Sequence, residues 1–120
     1  NGDFSLDAGA QAARAWLELA DRPSAMFCQS DQMAFGFISE LARNGISVPG
    51  DVSVVGFDDI AIADRFIPAL TTLRQPRKKL GLHAARMLLN HIRTNTSPAI
   101  ETTILEVELV VRASTRPFAG

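Results

Sequence analysis

The chain's 120 residues are 47% apolar and 21% charged, enough for one folded core and the wrong composition for a disordered chain. Twelve basic against 13 acidic side chains leave a net charge of -1, which argues against a surface that grips a phosphate backbone on its own. No apolar run nears the roughly 20 residues of a membrane-spanning helix, and the single cysteine, Cys28, rules out an internal disulfide and fits a reducing compartment.

Asn1 opens the chain with no initiator methionine and no signal peptide, and an ordered pattern follows at once; the expectation is a segment of a longer protein. Residues 1–4 read as the end of a strand. Ser5 or Asp7 then caps a helix in which Ala13, Trp16, Leu17 and Ala20 recur at helical spacing, until DRP at 21–23 ends it. AMFC at 25–28 is a short buried strand. Ser30 or Asp31 caps a second helix running to about Asn44, with Met33, Phe37, Ile38 and Leu41 on its apolar side. Gly45 suits the left-handed residue that closes such a helix, and VPGD at 48–51 makes a turn.

DVSVVGF then reads as a core strand, followed by a short helical or irregular segment, AIADRF, limited by Pro68. LTTL at 70–73 is extended. Pro76 opens a long helix, about 76–93, with an apolar stripe of Leu80, Ala84, Met87, Leu88 and Ile92. NTSPA breaks it, and TTILEVELVVR at 102–112 alternates enough to be a strand with one wet face.

Strand and helix in alternation specify an α/β fold: a mostly parallel sheet with helices on its faces, a partial three-layer α/β/α arrangement. Ligands in such sheets sit beyond the carboxyl ends of the strands. Gln29, Ser30 and Asp31 follow one strand and Asp58 and Asp59 the next, so all five belong to one rim.

The chemistry of that rim is limited. Asp58 and Asp59 point in different directions at a strand end, and no nearby residue supplies a nucleophile or a base of contrasting pKa. Capping of the following segment is the simpler role, above all for Asp59. His83 and His91 stand eight apart, where two imidazoles on one metal need four, so no metal is expected, and Cys28 is a small buried residue. Neither a GxxxxGK[ST] loop nor GxGxxG is present. Arg74, Arg77, Lys78 and Lys79 read as a solvated basic face, and no cofactor is called for. A carboxylate and a hydroxyl at a strand end suit a sugar or another polyhydroxyl ligand, and there the residues alone stop: rim polar groups of a ligand pocket.

Three stretches together carry a resemblance: SAMFCQSDQMAFGFISELARNGISVPGDVSVVGFDD, FIPALTTLRQPRKKLGLHAARMLL and LVVRAST. In order and spacing they resemble the carboxyl-terminal part of a LacI/GalR-family transcriptional regulator, over nearly the whole chain. The resemblance implies a periplasmic-binding-protein-like second lobe at 1–73, a helix at 74–100 that crosses to a first lobe outside this chain, and a returning strand and tail at 101–120.

It also implies roles. Asp58 matches the family's effector-contacting aspartate; Ser30 matches a position, more often asparagine, that hydrogen-bonds effector; Phe4 lies near the cleft. Serine at 30 leaves the effector class open. Asp31 and Asp59 take lobe-organising roles, and Phe35, Ile62 and Phe66 stand at the dimer interface, with packing inside the lobe as the alternative for Phe35. The implied partners are a sugar-like small-molecule effector, operator DNA through a helix-turn-helix domain outside this chain, and a second copy, in the cytoplasm and without a membrane. Left without its first lobe, the Leu80, Ala84 and Leu88 face is expected to drive dimers or higher assemblies, with helix exchange as one route. The competing readings are a solute-binding protein for sugar uptake and, further off, an enzyme of the α/β type, such as a hydrolase acting on a sugar phosphate.

Overall fold

The structure, a computed structural model, describes residues 3–94 and 102–118. Its described elements are α1 (Leu6–Leu17), β1 (Ala25–Phe27), α2 (Asp31–Arg43), β2 (Ser53–Phe57), β3 (Thr71–Arg74), α3 (Arg77–Thr94) and β4 (Glu108–Val110). The four strands form one sheet in the order β1-β2-β3-β4. β1 pairs parallel to β2 with Met26 opposite Val54, and β2 pairs parallel to β3 with Gly56 opposite Thr72. A parallel neighbour cannot be reached by a tight hairpin, and α2 supplies the crossover between β1 and β2.

Local chemistry sets the helix ends. Ser5 is the N-cap of α1, its Oγ accepting from the Ala8 N–H at 3.1 Å, and Ser30 does the same for α2 with the Met33 N–H at 3.2 Å. The acidic Asp7 and Asp31 stand in the first turns, where the helix dipole favours negative charge. α2 closes at Asn44, and Gly45 follows with φ +73°.

The expected strand at 1–4 is a correction. Residues 1 and 2 lie outside the described ones, and Asp3 and Phe4 are not in a strand. The Asp3 carboxylate accepts from the Ser5 N–H at 3.1 Å and Phe4 takes φ +63°, so a local turn leads straight into α1. The strand expected over 102–112 is also shorter. Only Glu108–Val110 is regular, because its neighbour β3 offers four residues between Pro68 and Pro76.

The chain forms two compact units: Asn1–Arg74 with Leu109–Gly120, and Gln75–Glu108. In the first unit α2 packs on β2 and α1 packs on α2. Phe37, Leu41, Val52, Val54 and Leu70 are fully buried, and Trp16 meets Phe37 edge-on at 6.3 Å between ring centres. Burial of aliphatic and aromatic side chains on this scale, roughly 1.5–3 kcal/mol each, holds the helices on the sheet. The carboxyl-terminal RAST stretch stitches the sheet: Ser114 Oγ donates to Val54 O at 2.6 Å and accepts from the Thr71 N–H at 2.8 Å, while Ser114 O accepts from the Val54 N–H.

The second unit is dominated by α3, in which no residue is buried. Leu80, Leu82, Met87, Leu88, Leu89 and Ile92 are all exposed, a wider apolar surface than the expected stripe. NTSPA falls on residues 95–99, outside the described ones. No described helix is long and apolar enough to cross a membrane.

Candidate functional site

The carboxyl ends of β1, β2 and β3 bring Ser30, Asp31, Asp58, Asp59 and Arg74 to one rim of the sheet. Asp31 is its anchor. Its side chain has no exposed surface, Oδ1 accepts from Thr72 Oγ1 at 2.5 Å, and Oδ2 accepts from the Ile60 N–H at 2.8 Å. One carboxylate thus joins the start of α2 to β3 and to the segment after β2. Gly56 makes the room: a Cβ there would run into Asp31 Oδ1 and Leu70 Cδ2. Burial raises the Asp31 pKa above the ordinary 3.8; the Thr72 and Ile60 hydrogen bonds oppose the rise and the charges of Asp58 and Asp59 add to it.

Asp59 is equally committed. Oδ2 pairs with Arg74 Nε at 2.6 Å and Oδ1 with an Arg112 terminal nitrogen at 2.7 Å. Burial pushes its pKa up, but hydrogen bonds and charge from Arg112 and then Arg74 outweigh that and hold the carboxyl below its ordinary range. Arg112 is locked in turn, its other terminal nitrogen donating to Leu70 O at 2.7 Å and its backbone N–H to Thr71 Oγ1 at 2.9 Å. Asp59, Ile60, Ala61, Asp64, Arg74 and Arg112 line a hollow of about 180 Å³.

Asp58 directly precedes Asp59 at the end of β2. Its N–H donates to Leu73 O at 2.9 Å, its side chain is half-buried, and its φ is +118°, followed by +52° at Asp59. Two consecutive non-glycine residues in that half of the map are costly, and backbone strain of this kind persists where the surroundings over-determine it, as at ligand-binding turns. The turn is fixed by the Asp58 N–H on Leu73 O, the Asp59 ion pairs, and the Ile60 N–H on Asp31.

The remaining expected site residues divide. Ser30 is buried, and its hydroxyl both accepts from the Met33 N–H and donates to Phe4 O at 3.3 Å, so its polar capacity is largely used inside the lobe. That same bond brings Phe4, 56% exposed, beside the rim. Phe35 is only 5% exposed and lies against Phe66 with ring centres 4.4 Å apart, so its side chain packs inside the unit; Phe66 is half-buried. Ile62 is 52% exposed on the turn that follows β2, its carbonyl accepting from the Arg65 and Phe66 N–H groups. Burial raises the Cys28 thiol to about 11, which leaves it a weak nucleophile. Among the described residues no group of three or more His, Cys, Asp or Glu is placed to hold a metal ion.

Arg74, Thr72 and Arg112 are the site residues that sequence reasoning missed. Arg74 read as part of a solvated basic face. Arg112 has a signal in hindsight, a lone cation ending the apolar run LVV, opposite in sign to the paired aspartates.

A periplasmic binding protein-like domain model matches residues 2–115. The HTH-type transcriptional repressor CytR of Escherichia coli (strain K12) is 39% identical over 115 residues, 96% of this chain and 33% of CytR. A solved complex of the transcriptional regulator CelR with cellobiose superposes with a TM-score of 0.86 at 37% identity, over 94% of this chain and 34% of CelR. The lac repressor dimer bound to operator and the anti-inducer ONPF does so with a TM-score of 0.83 at 35% identity, over 95% and 39%. The chain spans about a third of the length of the curated relatives it matches.

Proposed function

This chain belongs to the periplasmic binding protein-like domain family, in its LacI/GalR branch, and we propose that it is the effector-reading and dimerising part of a DNA-binding transcriptional regulator. The effector is a sugar or a related small polar metabolite, held in the cleft of the intact protein. The observation that carries the reading is Asp58: a carboxylate on a strained turn at the end of a parallel strand, followed by residues 59 and 60, which are tied to Arg74 and Arg112 and to Asp31. Such a group accepts hydrogen bonds from two ligand hydroxyls, and a turn fixed in advance loses little freedom when it does so.

Phe4 contributes an exposed apolar ring to the same reading, and Ser30 serves it chiefly by holding the Phe4 backbone. Asp31 and Asp59 organise the lobe. The dimer contact runs through Ile62 and the Phe66 segment, backed by Phe35 from beneath, and the apolar face of α3 belongs against a first lobe outside this chain. A sugar in the CelR complex and a dimer on operator in the lac repressor complex are both consistent with this assignment. The protein works in the cytoplasm, catalyses no reaction, and reaches operator DNA through a helix-turn-helix domain on the same polypeptide. Without that domain the chain binds no specific DNA.

The coding sequence upstream of the Asn1 codon tests this. A helix-turn-helix and a first lobe there are the expected result. A cleavable signal peptide or a lipid-attachment cysteine in their place would withdraw the regulator and make Asp58 part of a solute-binding protein for uptake.

A further inference from the structure

The chain leaves its first unit after Arg74 and re-enters it at Leu109, and the residues that guard the two crossings, Arg74 and Arg112, are both held by the one carboxylate that follows Asp58. We propose that Asp59 is a positioning residue that couples the ligand-facing turn to both chain crossings, so that a pull on Asp58 is felt where the chain passes to the second unit and where it returns. The inference rests on the reading of Asp58 as the ligand-facing group.

The geometry supports a shared element. Each Asp59 oxygen takes a different arginine, at 2.6 and 2.7 Å, so a rotation of the carboxylate cannot keep both bonds. Arg112 also holds Leu70 O and Thr71 Oγ1, which ties the return crossing to the start of β3 while Arg74 ends that strand. Asp58 and Asp59 sit on consecutive strained residues, so a backbone shift at one is forced on the other. The Arg112 half of the clasp is shielded, with Asp59 and Arg112 side chains 10% and 16% exposed, and salt screens it less than it screens the Arg74 half, where the arginine is 45% exposed.

Amide hydrogen exchange by NMR on the 120-residue chain tests the coupling without any ligand. Asp58→Asn removes one charge from the turn and is expected to shift the resonances and exchange of both Gln75–Arg77 and Leu109–Arg112. In an Asp59→Asn background the same substitution should leave both crossings unchanged, and Asp59→Asn alone should speed exchange there by about tenfold. Arg74→Gln should uncouple only the first crossing and Arg112→Gln only the return, which decides the matter even where Asp59→Asn fails to fold. Crossings that respond to Asp58→Asn equally with and without Asp59, that do not respond at all, or that loosen together in both arginine variants would overturn the proposal. Loss of ligand response in Asp58→Asn with silent crossings would overturn the coupling alone and leave the effector reading standing.

Discussion

Two helices of this chain show the same kind of apolar pattern and meet different fates. Of the 13 residues of α2 seven are buried, Phe37, Ile38 and Leu41 among them, whereas of the 18 residues of α3 none is. Periodicity alone therefore says that a helix has a face meant for a partner, not where that partner is. α2 finds its partners, β2 and α1, within a few dozen residues of sequence. The stability of α2 is tertiary, whereas α3 carries an apolar face on which no residue is buried.

The contrast is broken most severely at Phe37. Phe37→Ala should cost about 3–5 kcal/mol, since the ring is fully buried and edge-on to Trp16, while Leu88→Ala on α3 should stay within about 0.5 kcal/mol. Urea denaturation followed by circular dichroism reads both, and equal losses would contradict the contrast. Asp31→Ala should cost about 1–3 kcal/mol for each orphaned partner, the Thr72 hydroxyl and the Ile60 N–H, in the same assay.

A smaller effect separates the two anchored carboxylates, Asp31 and Asp59, by pH. The folded pKa of Asp59 is lowered, so its contribution is present above the ordinary 3.8 and is lost as pH falls through the lowered value. Asp31 has the opposite sign: its raised folded pKa makes its contribution decline as pH climbs from 3.8 through that value. Asp59→Asn should flatten the acid limb of a stability profile, and Asp31→Asn should not. Smallest in folding terms is Ile62→Glu, expected within about 0.5 kcal/mol because the side chain is exposed. Sedimentation velocity of the intact polypeptide should nevertheless show its dimer weakened, and an unchanged dimer would remove Ile62 from the interface.

Much of this was legible from residues. Caps at Ser5 or Asp7 and at Ser30 or Asp31, of which the structure takes the two serines, Gly45 as the helix stop, and a parallel strand ending at GFDD all follow from local chemistry. What stayed hidden is long-range. Asp31 was readable as an acid at a helix start, but its partners Thr72 and Ile60 lie about 41 and 29 residues away. The clasp joins residues 59, 74 and 112, and nothing in the spacing of an aspartate and two arginines announces that they converge. Phe35 and Phe66 were both legible as apolar; that they stack on each other required the fold. The extent of β4 was misread because alternation in 102–112 shows which residues suit a strand, while pairing depends on the length of the neighbour.

The most direct test of Asp58 as the effector-reading group uses the intact polypeptide that carries this chain. Its operator would be selected from random DNA, and release from that operator followed by fluorescence anisotropy across a panel of mono- and disaccharides and nucleosides. Loss of two charge-assisted hydrogen bonds predicts that Asp58→Asn shifts the active effector's response by about 100-fold or abolishes it, with operator affinity in the absence of effector kept within about threefold. An Asp58→Asn protein that responds to the same effector at the same concentration as the unaltered one would contradict the account.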